Sequence, residues 1–297
     1  MKLLRTSEEK FENLPNFPYK PNYIVVDGIR IHYLDEGLNS TECVLLMHGE
    51  PSWCFLYRHM IPILVDAGYQ ILAPDLVGFG RSDKPTEQSD YTYSKHVEWI
   101  TKWMKTLNLH NITLFCQDWG SLIGLRVAIE NQDRFRRIVL SNGGLPTGEQ
   151  RMSNVFLKFR EFSRNSPVFD IKTIIQDGTT TQLSDDILRG YDAPFPDDSF
   201  KAGARIMPSL VPIGKDDPEH DANKNATGKF RKWKKPFLTA FSDSDPITRG
   251  GERFWQKIVP GCQGQNHTTI KGAGHFVQED KGPELAEIIV EFIRSNP

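Results

Sequence analysis

The chain has 297 residues, with 36 Lys and Arg against 38 Asp and Glu, for a formal net charge of −2. The two signs are interleaved, so no basic stripe is offered to nucleic acid and no polybasic cluster to an anionic membrane surface. No apolar run approaches the ~20 residues a membrane-spanning helix needs, and residues 1–10 lack the apolar centre of a secretory leader.

Residues 23–26, the turn pair Asp27-Gly28 and residues 29–33 read as a hairpin closed by a favoured two-residue loop. Residues 43–47 are a continuous apolar run ending at His48-Gly49, as a strand buried on both faces does. Residues 55–67 read as a helix, 70–73 as a strand closed by Pro74-Asp75, and Gly78-Phe-Gly-Arg-Ser82 as a turn-rich segment. Residues 93–107 carry apolar side chains at helical spacing, 111–115 form a strand, 121–128 a helix and 137–140 a further strand. This alternation predicts an α/β protein on a mostly parallel, doubly wound sheet.

From Leu145 to Thr227 the pattern changes to helical pieces at 154–163, 184–190 and 199–205, separated by turns rich in Pro and Asp. Residues 214–220 read as polar linker. Strands resume at 237–241 and 268–270, followed by a closing helix at 284–294. The expected organisation is a core of residues 1–144 and 228–297, with a helical cap subdomain at 145–227. Ligands of such sheets sit at the carboxyl ends of the strands, which the cap would cover. Four scattered cysteines without C-x-x-C spacing (Cys43, Cys54, Cys116, Cys262) fit free thiols, and the chain is expected to be soluble, cytoplasmic and monomeric.

Cys116-Gln-Asp-Trp-Gly120 is the most informative segment. A strand, a sharp turn and a helix form the nucleophile elbow of α/β-hydrolases, whose usual signature is G-x-S-x-G. Here Asp118 holds the centre and Cys116 replaces the first Gly. A carboxylate can displace a leaving group from saturated carbon and become an alkyl ester. The simpler reading is an Asp that caps the next helix. In this fold the triad runs nucleophile, acid, base along the chain. Asp243 and Asp245 both follow the 237–241 strand, and Asp245, beside Pro246, is the preferred acid. His275, in the Gly-flanked loop after the next strand, is the expected base. The backbone N–H groups of Trp119 and Glu50 are the expected oxyanion donors. The Trp119 indole, a donor without acceptor capacity, suits a departing anion, although a Trp also simply packs.

His48-Gly-Glu-Pro-Ser-Trp53, residues 75–82, Cys116-Gln-Asp-Trp-Gly120, Tyr191-Asp-Ala-Pro-Phe-Pro-Asp197 and Gly274-His-Phe-Val-Gln-Glu279 together resemble the haloalkane dehalogenases. They resemble the branch with Glu after the His-Gly pair and two tryptophan halide donors. The resemblance covers nearly the whole chain, cap included. It implies the α/β-hydrolase fold, Asp118 as nucleophile, His275 as base, Asp245 as acid, Glu50 and Trp119 as oxyanion hole and Trp119 as a halide donor. The substrate would be a small apolar halogenated molecule, hydrolysed by water with release of halide. No ligand cluster for a metal or organic cofactor is visible, so none is expected.

One departure matters. None of the six tryptophans lies in the cap, which offers Phe156, Phe159, Phe162 and Phe169 instead. Phe159 is assigned the vacant halide position. A ring edge brings no N–H, and one lost hydrogen bond to an anion costs about 1.5–3 kcal/mol, so slow turnover, a bias to bromide and iodide, or a different substrate is expected. The nearest rival is epoxide hydrolysis, which would need a cap tyrosine as proton donor, and the cap has only Tyr191. Fluoroacetate dehalogenases would place Arg where Trp119 stands. A luciferase-like oxygenase, or a binding protein on an inactive hydrolase scaffold, are more distant alternatives.

Overall fold

The computed structural model describes residues 1–37, 40 and 42–297. Its strands are β1 (Leu3–Leu4), β2 (Asn22–Val26), β3 (Ile29–Glu36), β4 (Cys43–Met47), β5 (Gln70–Pro74), β6 (Lys84–Pro85), β7 (Ile112–Cys116), β8 (Phe135–Leu140), β9 (Phe237–Ser242) and β10 (Thr268–Ile270). β1 and β6 pair only with each other, and the other eight form one sheet in the order β10-β9-β8-β7-β4-β5-β3-β2. From β10 to β5 every pairing is parallel, while β3 runs antiparallel to both β5 and β2. All five residues of β4 and all five of β7 are buried. Their near-continuous apolar runs, interrupted only by Thr113 of β7, follow from coverage on both faces.

The covering helices are α1 (Ile61–Asp66), packed on α10 (Val277–Ser295), and α2 (Tyr93–Thr106), packed on α3 (Trp119–Glu130). In α2 the Thr92 hydroxyl caps the helix by accepting from Lys95 N at 3.1 Å, and Val97, Ile100, Trp103 and Met104 bury one face. The expected helix at 55–67 is broken into a 3-10 turn at Cys54–Tyr57 and α1. Pro62 has no N–H to offer a continuous helix and is tolerated in the first turn of α1, where none is needed. The closing helix starts earlier than expected, with Lys281 out of helical geometry (φ −140°, ψ 34°) just before Pro283.

Between β8 and β9 the described residues form no strand but five helices: α4 (Asn154–Asn165), α5 (Ile171–Asp177), α6 (Asp185–Asp192), α7 (Ala202–Leu210) and α8 (His220–Phe230). α4 and α6 begin at Ser153 and Ser184, whose hydroxyls accept from Phe156 N and Ile187 N. α5 and α8 are absent from the sequence reading. The polar stretch ending at His220 turns directly into α8, which crosses Thr227 and rests on α3, where Arg126 Nη1 donates to Asn223 Oδ1 at 2.9 Å. α9 (Glu252–Ile258) completes the fold after β9. No helix of the described residues is long and apolar enough to cross a membrane.

Candidate active site

The parallel pairing sets Met47 opposite Cys116, so the residues leaving β4 and β7 emerge side by side at the carboxyl edge of the sheet. Asp118 lies there with φ 49° and ψ −131°, a conformation that costs a non-glycine residue on the order of 1–3 kcal/mol. Asp118 N donates to Asn142 O at 3.0 Å, and Ser121 N donates to Asp118 O at 2.8 Å, which holds the turn. Its side chain makes no capping bond to α3. The turn is tight at three glycines: a side chain on Gly49 would overlap the Asp118 carboxylate, one on Gly120 would overlap Met47 O, and one on Gly143 would overlap Ser121. At Cys116, by contrast, there is room for a thiol, with Sγ 3.9 Å from Val139 O.

Glu50 N donates to Asp118 Oδ1 at 2.8 Å. The Trp119 amide is the first of α3 and donates no capping bond to the Asp118 side chain. His275 Nε2 is 3.4 Å from Asp118 Oδ2, and His275 Nδ1 is 3.1 Å from Asp245 Oδ2. Asp245 also accepts from Ile247 N at 2.8 Å and from the Thr248 hydroxyl. Asp243 instead accepts from Gly272 N at 3.0 Å and Ser244 Oγ at 2.9 Å, holding the loop between β9 and β10. Burial opposes the charge on Asp245, but His275 and the hydrogen-bond donors outweigh it, and its pKa is lowered to about 2. Burial likewise opposes an imidazolium at His275, yet Asp245 and then Asp118 outweigh it, and its pKa is raised to about 10. Glu50 is pushed well above the carboxylate range, first by burial and then by the charge of Asp118.

Several supporting residues escaped the sequence reading. Gln117 Nε2 donates to His275 O at 3.1 Å and lies 3.2 Å from His275 Nε2, and Gln278 Nε2 donates to Gln117 Oε1 at 3.3 Å. Asn142 Nδ2 donates to Gly274 O at 2.8 Å and His275 O at 3.0 Å. A signal was there: Asn142 is a polar residue just past the end of β8, the same placement that singled out His48 and Asp118. His48 is neutral by its contacts, with Nδ1 donating to Gly49 O and Nε2 accepting from Leu76 N, both at 2.9 Å. Burial lowers its pKa further.

These groups open into a cavity of about 1310 Å³. Glu50, Asp118, Trp119 and His275 line it on the sheet side, and Phe156, Phe159 and Phe162 of α4 line it on the other. The Trp119 ring meets Tyr93 edge-on at 5.1 Å. Phe159 is half-buried on this wall. Trp255 also lines the cavity, from α9 rather than from the inserted helices. Tyr191 does not: it is buried and its hydroxyl donates to Glu279 Oε2 at 2.5 Å, while Glu279 pairs with buried Arg58.

His32, Cys54 and Asp75 bring potential metal-ligand atoms within 4.8 Å of one another. The Asp75 carboxylate there is already engaged by His32 Nδ1 at 2.7 Å, Cys54 N at 2.9 Å and Arg81 N at 2.8 Å. That arrangement is a hydrogen-bonded hub bracing the loops after β4 and β5.

Residues 42–282 match the family model described as the alpha/beta hydrolase fold. A haloalkane dehalogenase of Psychrobacter cryohalolentis is 53% identical, with 100% of each chain covered. Haloalkane dehalogenase 1 of Mycobacterium tuberculosis is 49% identical, with 97% of each covered. Among solved structures, the tetrameric haloalkane dehalogenase of Paraglaciecola agarilytica superposes with a TM-score of 0.91 at 34% identity, covering 97% of each chain.

Proposed function

The chain belongs to the haloalkane dehalogenases of the α/β-hydrolase fold, and from that premise we propose that it hydrolyses haloalkanes through an ester formed on Asp118. Asp118 Oδ2 attacks the halogen-bearing carbon as the carbon–halogen bond breaks, and the halide departs toward the Trp119 indole N–H. Oδ1, held by Glu50 N–H, becomes the carbonyl oxygen of the alkyl ester. Esterification removes the Asp118 charge, one of the causes that raise the His275 pKa, so it favours loss of the imidazolium proton to solvent and a neutral ring that can act as base while Asp245 continues to hold it. His275 Nε2 then takes a proton from water, whose oxygen adds to the Asp118 carbonyl carbon. The oxyanion that forms on Oδ1 lies against the Glu50 and Trp119 amides. On collapse the alkoxide leaves with the proton from His275, and the regenerated Asp118 acid loses its proton. The sum is haloalkane and water giving alcohol, halide and a proton.

One arrangement carries this proposal: a carboxylate on a strained turn, with a backbone N–H on one oxygen and an imidazole, itself backed by a second carboxylate, facing the other. Residues 145–227 are taken as a cap over the core of 1–144 and 228–297. The cavity exceeds the roughly 300–1,000 Å³ of ordinary small-molecule pockets, and its α4 wall is phenylalanine-lined, which favours long or bulky apolar halides over the smallest ones. Epoxide opening is disfavoured because Tyr191 is committed to Glu279.

The test is a His275→Phe variant, checked first for folding, mixed with 1-bromohexane. About one bromide per protein should be released, with one hexyl group mapping to Asp118, as expected of an intermediate deprived of its base. Steady turnover by the folded variant, or a hexyl group on Glu50 or Asp245, would overturn the mechanism. Diol from styrene oxide without bromide release would favour the epoxide alternative.

A further inference from the structure

We propose, on the assignment of Asp118 as nucleophile and His275 as base, that Asp280 is a positioning residue that fastens the His275 loop to the turn after α5, so that ester hydrolysis depends on this contact and alkylation does not. The Asp280 carboxylate bridges two segments distant in sequence. Its Oδ2 accepts from Gly274 N at 2.8 Å, in the loop of the base, and from Thr180 N at 3.0 Å. Its Oδ1 accepts from Thr181 N at 2.8 Å and Thr180 N at 3.1 Å. The same two segments are joined by Phe276 N donating to Gly178 O at 3.0 Å and by Thr180 Oγ1 donating to Gly272 O at 2.8 Å. They are so close that a Cβ on Gly274 would lie 2.6 Å from Gly178 O.

The loop is thus held from two sides by different groups. The Gly274 and Phe276 N–H groups bond to Asp280 and Gly178, while the Gly274 and His275 carbonyls accept from Asn142 and Gln117 of the core. Apart from the His275 imidazole, 3.4 Å from its Oδ2, Asp118 is held by core groups: Glu50 N, Asn142 O and the amide and hydroxyl of Ser121. Losing Asp280 therefore loosens one side of the loop that carries the base, with the bonds to Gly178, Asn142 and Gln117 remaining, and leaves the core groups that hold the nucleophile untouched. A carboxylate has the acceptor sites for these three amides at once, and an amide side chain offers one oxygen.

In a two-step ester scheme kcat/KM reports the steps through halide release and kcat reports slow hydrolysis, so the two halves separate in ordinary kinetics. With 1-bromohexane, Asp280→Ala should lower kcat and KM together by about tenfold, leaving kcat/KM within about threefold of the parent. Intact mass during turnover should show hexylated Asp118, absent or scarce in the parent. Asp280→Asn should fall between the two. Thr180→Ala, which removes the bond to Gly272 O, should shift kcat the same way by about twofold to fivefold.

A folded Asp280→Ala with the parent kcat overturns the proposal. So does a parallel fall in kcat and kcat/KM, the mark of general loosening. Should Asp280→Ala fold poorly, the parent kcat in both Asp280→Asn and Thr180→Ala overturns it. A parent protein that releases no bromide and gains no hexyl group in the His275→Phe variant refutes the Asp118 mechanism instead, a result distinct from each of these.

Discussion

Glu50 gives Asp118 its backbone and withholds its charge. Its N–H donates to Asp118 Oδ1 at 2.8 Å, while its own carboxyl is buried, has an unpartnered Oε1 and has its pKa pushed well up by burial and by the neighbouring carboxylate, which disfavours its charge. An uncharged isostere should therefore serve as well. Glu50→Gln is expected to keep kcat/KM for 1-bromohexane within about threefold of the parent. A loss of about a hundredfold or more in the folded variant would mean that an ionised Glu50 takes part.

His275 binds its proton more tightly in the folded protein than in the unfolded chain, with a pKa raised from 6.5 to about 10. The stability it contributes is thus fully present below pH 6.5 and is lost as pH rises toward about 10. Asp245 has the opposite sign: its pKa falls from 3.8 to about 2, so its contribution is present above pH 3.8 and lost as pH drops toward about 2. The melting temperature of the parent should exceed that of His275→Phe by the widest margin between these windows. That margin should shrink steadily on the alkaline side. Calorimetry across the range checks this, and a margin constant from neutral to alkaline pH would contradict it.

The proposed halide site takes the Trp119 indole from the sheet side and the Phe159 ring from the α4 wall of the cavity. Trp119→Phe should cost about 1.5–3 kcal/mol, or roughly 10- to 150-fold, in bromide affinity. Phe159→Trp adds an N–H on the α4 wall of the cavity and should tighten bromide binding by roughly tenfold. Fluorescence quenching by bromide and iodide measures both. Unchanged bromide affinity in Trp119→Phe removes that residue from the halide site, and an unchanged Phe159→Trp removes only Phe159.

Cavity size predicts a trend along a homologous series. Each methylene buried against the α4 phenylalanines is worth up to ~0.8 kcal/mol, roughly fourfold in kcat/KM. From 1-bromobutane toward 1-bromodecane kcat/KM should climb before it levels, and Phe162→Ser, at the exposed end of the wall, should flatten the climb without changing the value for 1-bromobutane. A maximum at three or four carbons would show that the outer cavity binds no substrate.

What was legible in the sequence was local. β4 is an unbroken apolar run and β7 one broken only by Thr113, each followed by polar residues, and that pattern locates His48, Glu50 and Asp118 at one sheet edge. His275 stood out because glycines flank it where a strand has just ended. Asp245 over Asp243 was a finer choice, and the structure brings Asp245 to the imidazole while Asp243 holds its own loop. Illegible were features whose reason lies in a distant partner. α8 reads as polar because buried Asn223 is satisfied by Arg126 and by Pro146 O, neither near it in sequence. Gln117 and Asn142 matter through the carbonyls of a loop more than a hundred residues away. Neither propensity nor periodicity encodes such bonds.

The burial of the cysteines has a bearing on self-damage. Cys43, Cys54, Cys116 and Cys262 are all free and all buried. Burial pushes each thiol up, Cys262 to about 12. Alkyl halides are electrophiles, and the thiolate is the form of cysteine that reacts with them. A protein that concentrates such reagents in its own cavity would be poisoned by any accessible, ionised sulfur. Here Cys116 lies two residues from Asp118, yet it is fully buried within β7 and its thiol does not line the cavity into which Asp118 opens.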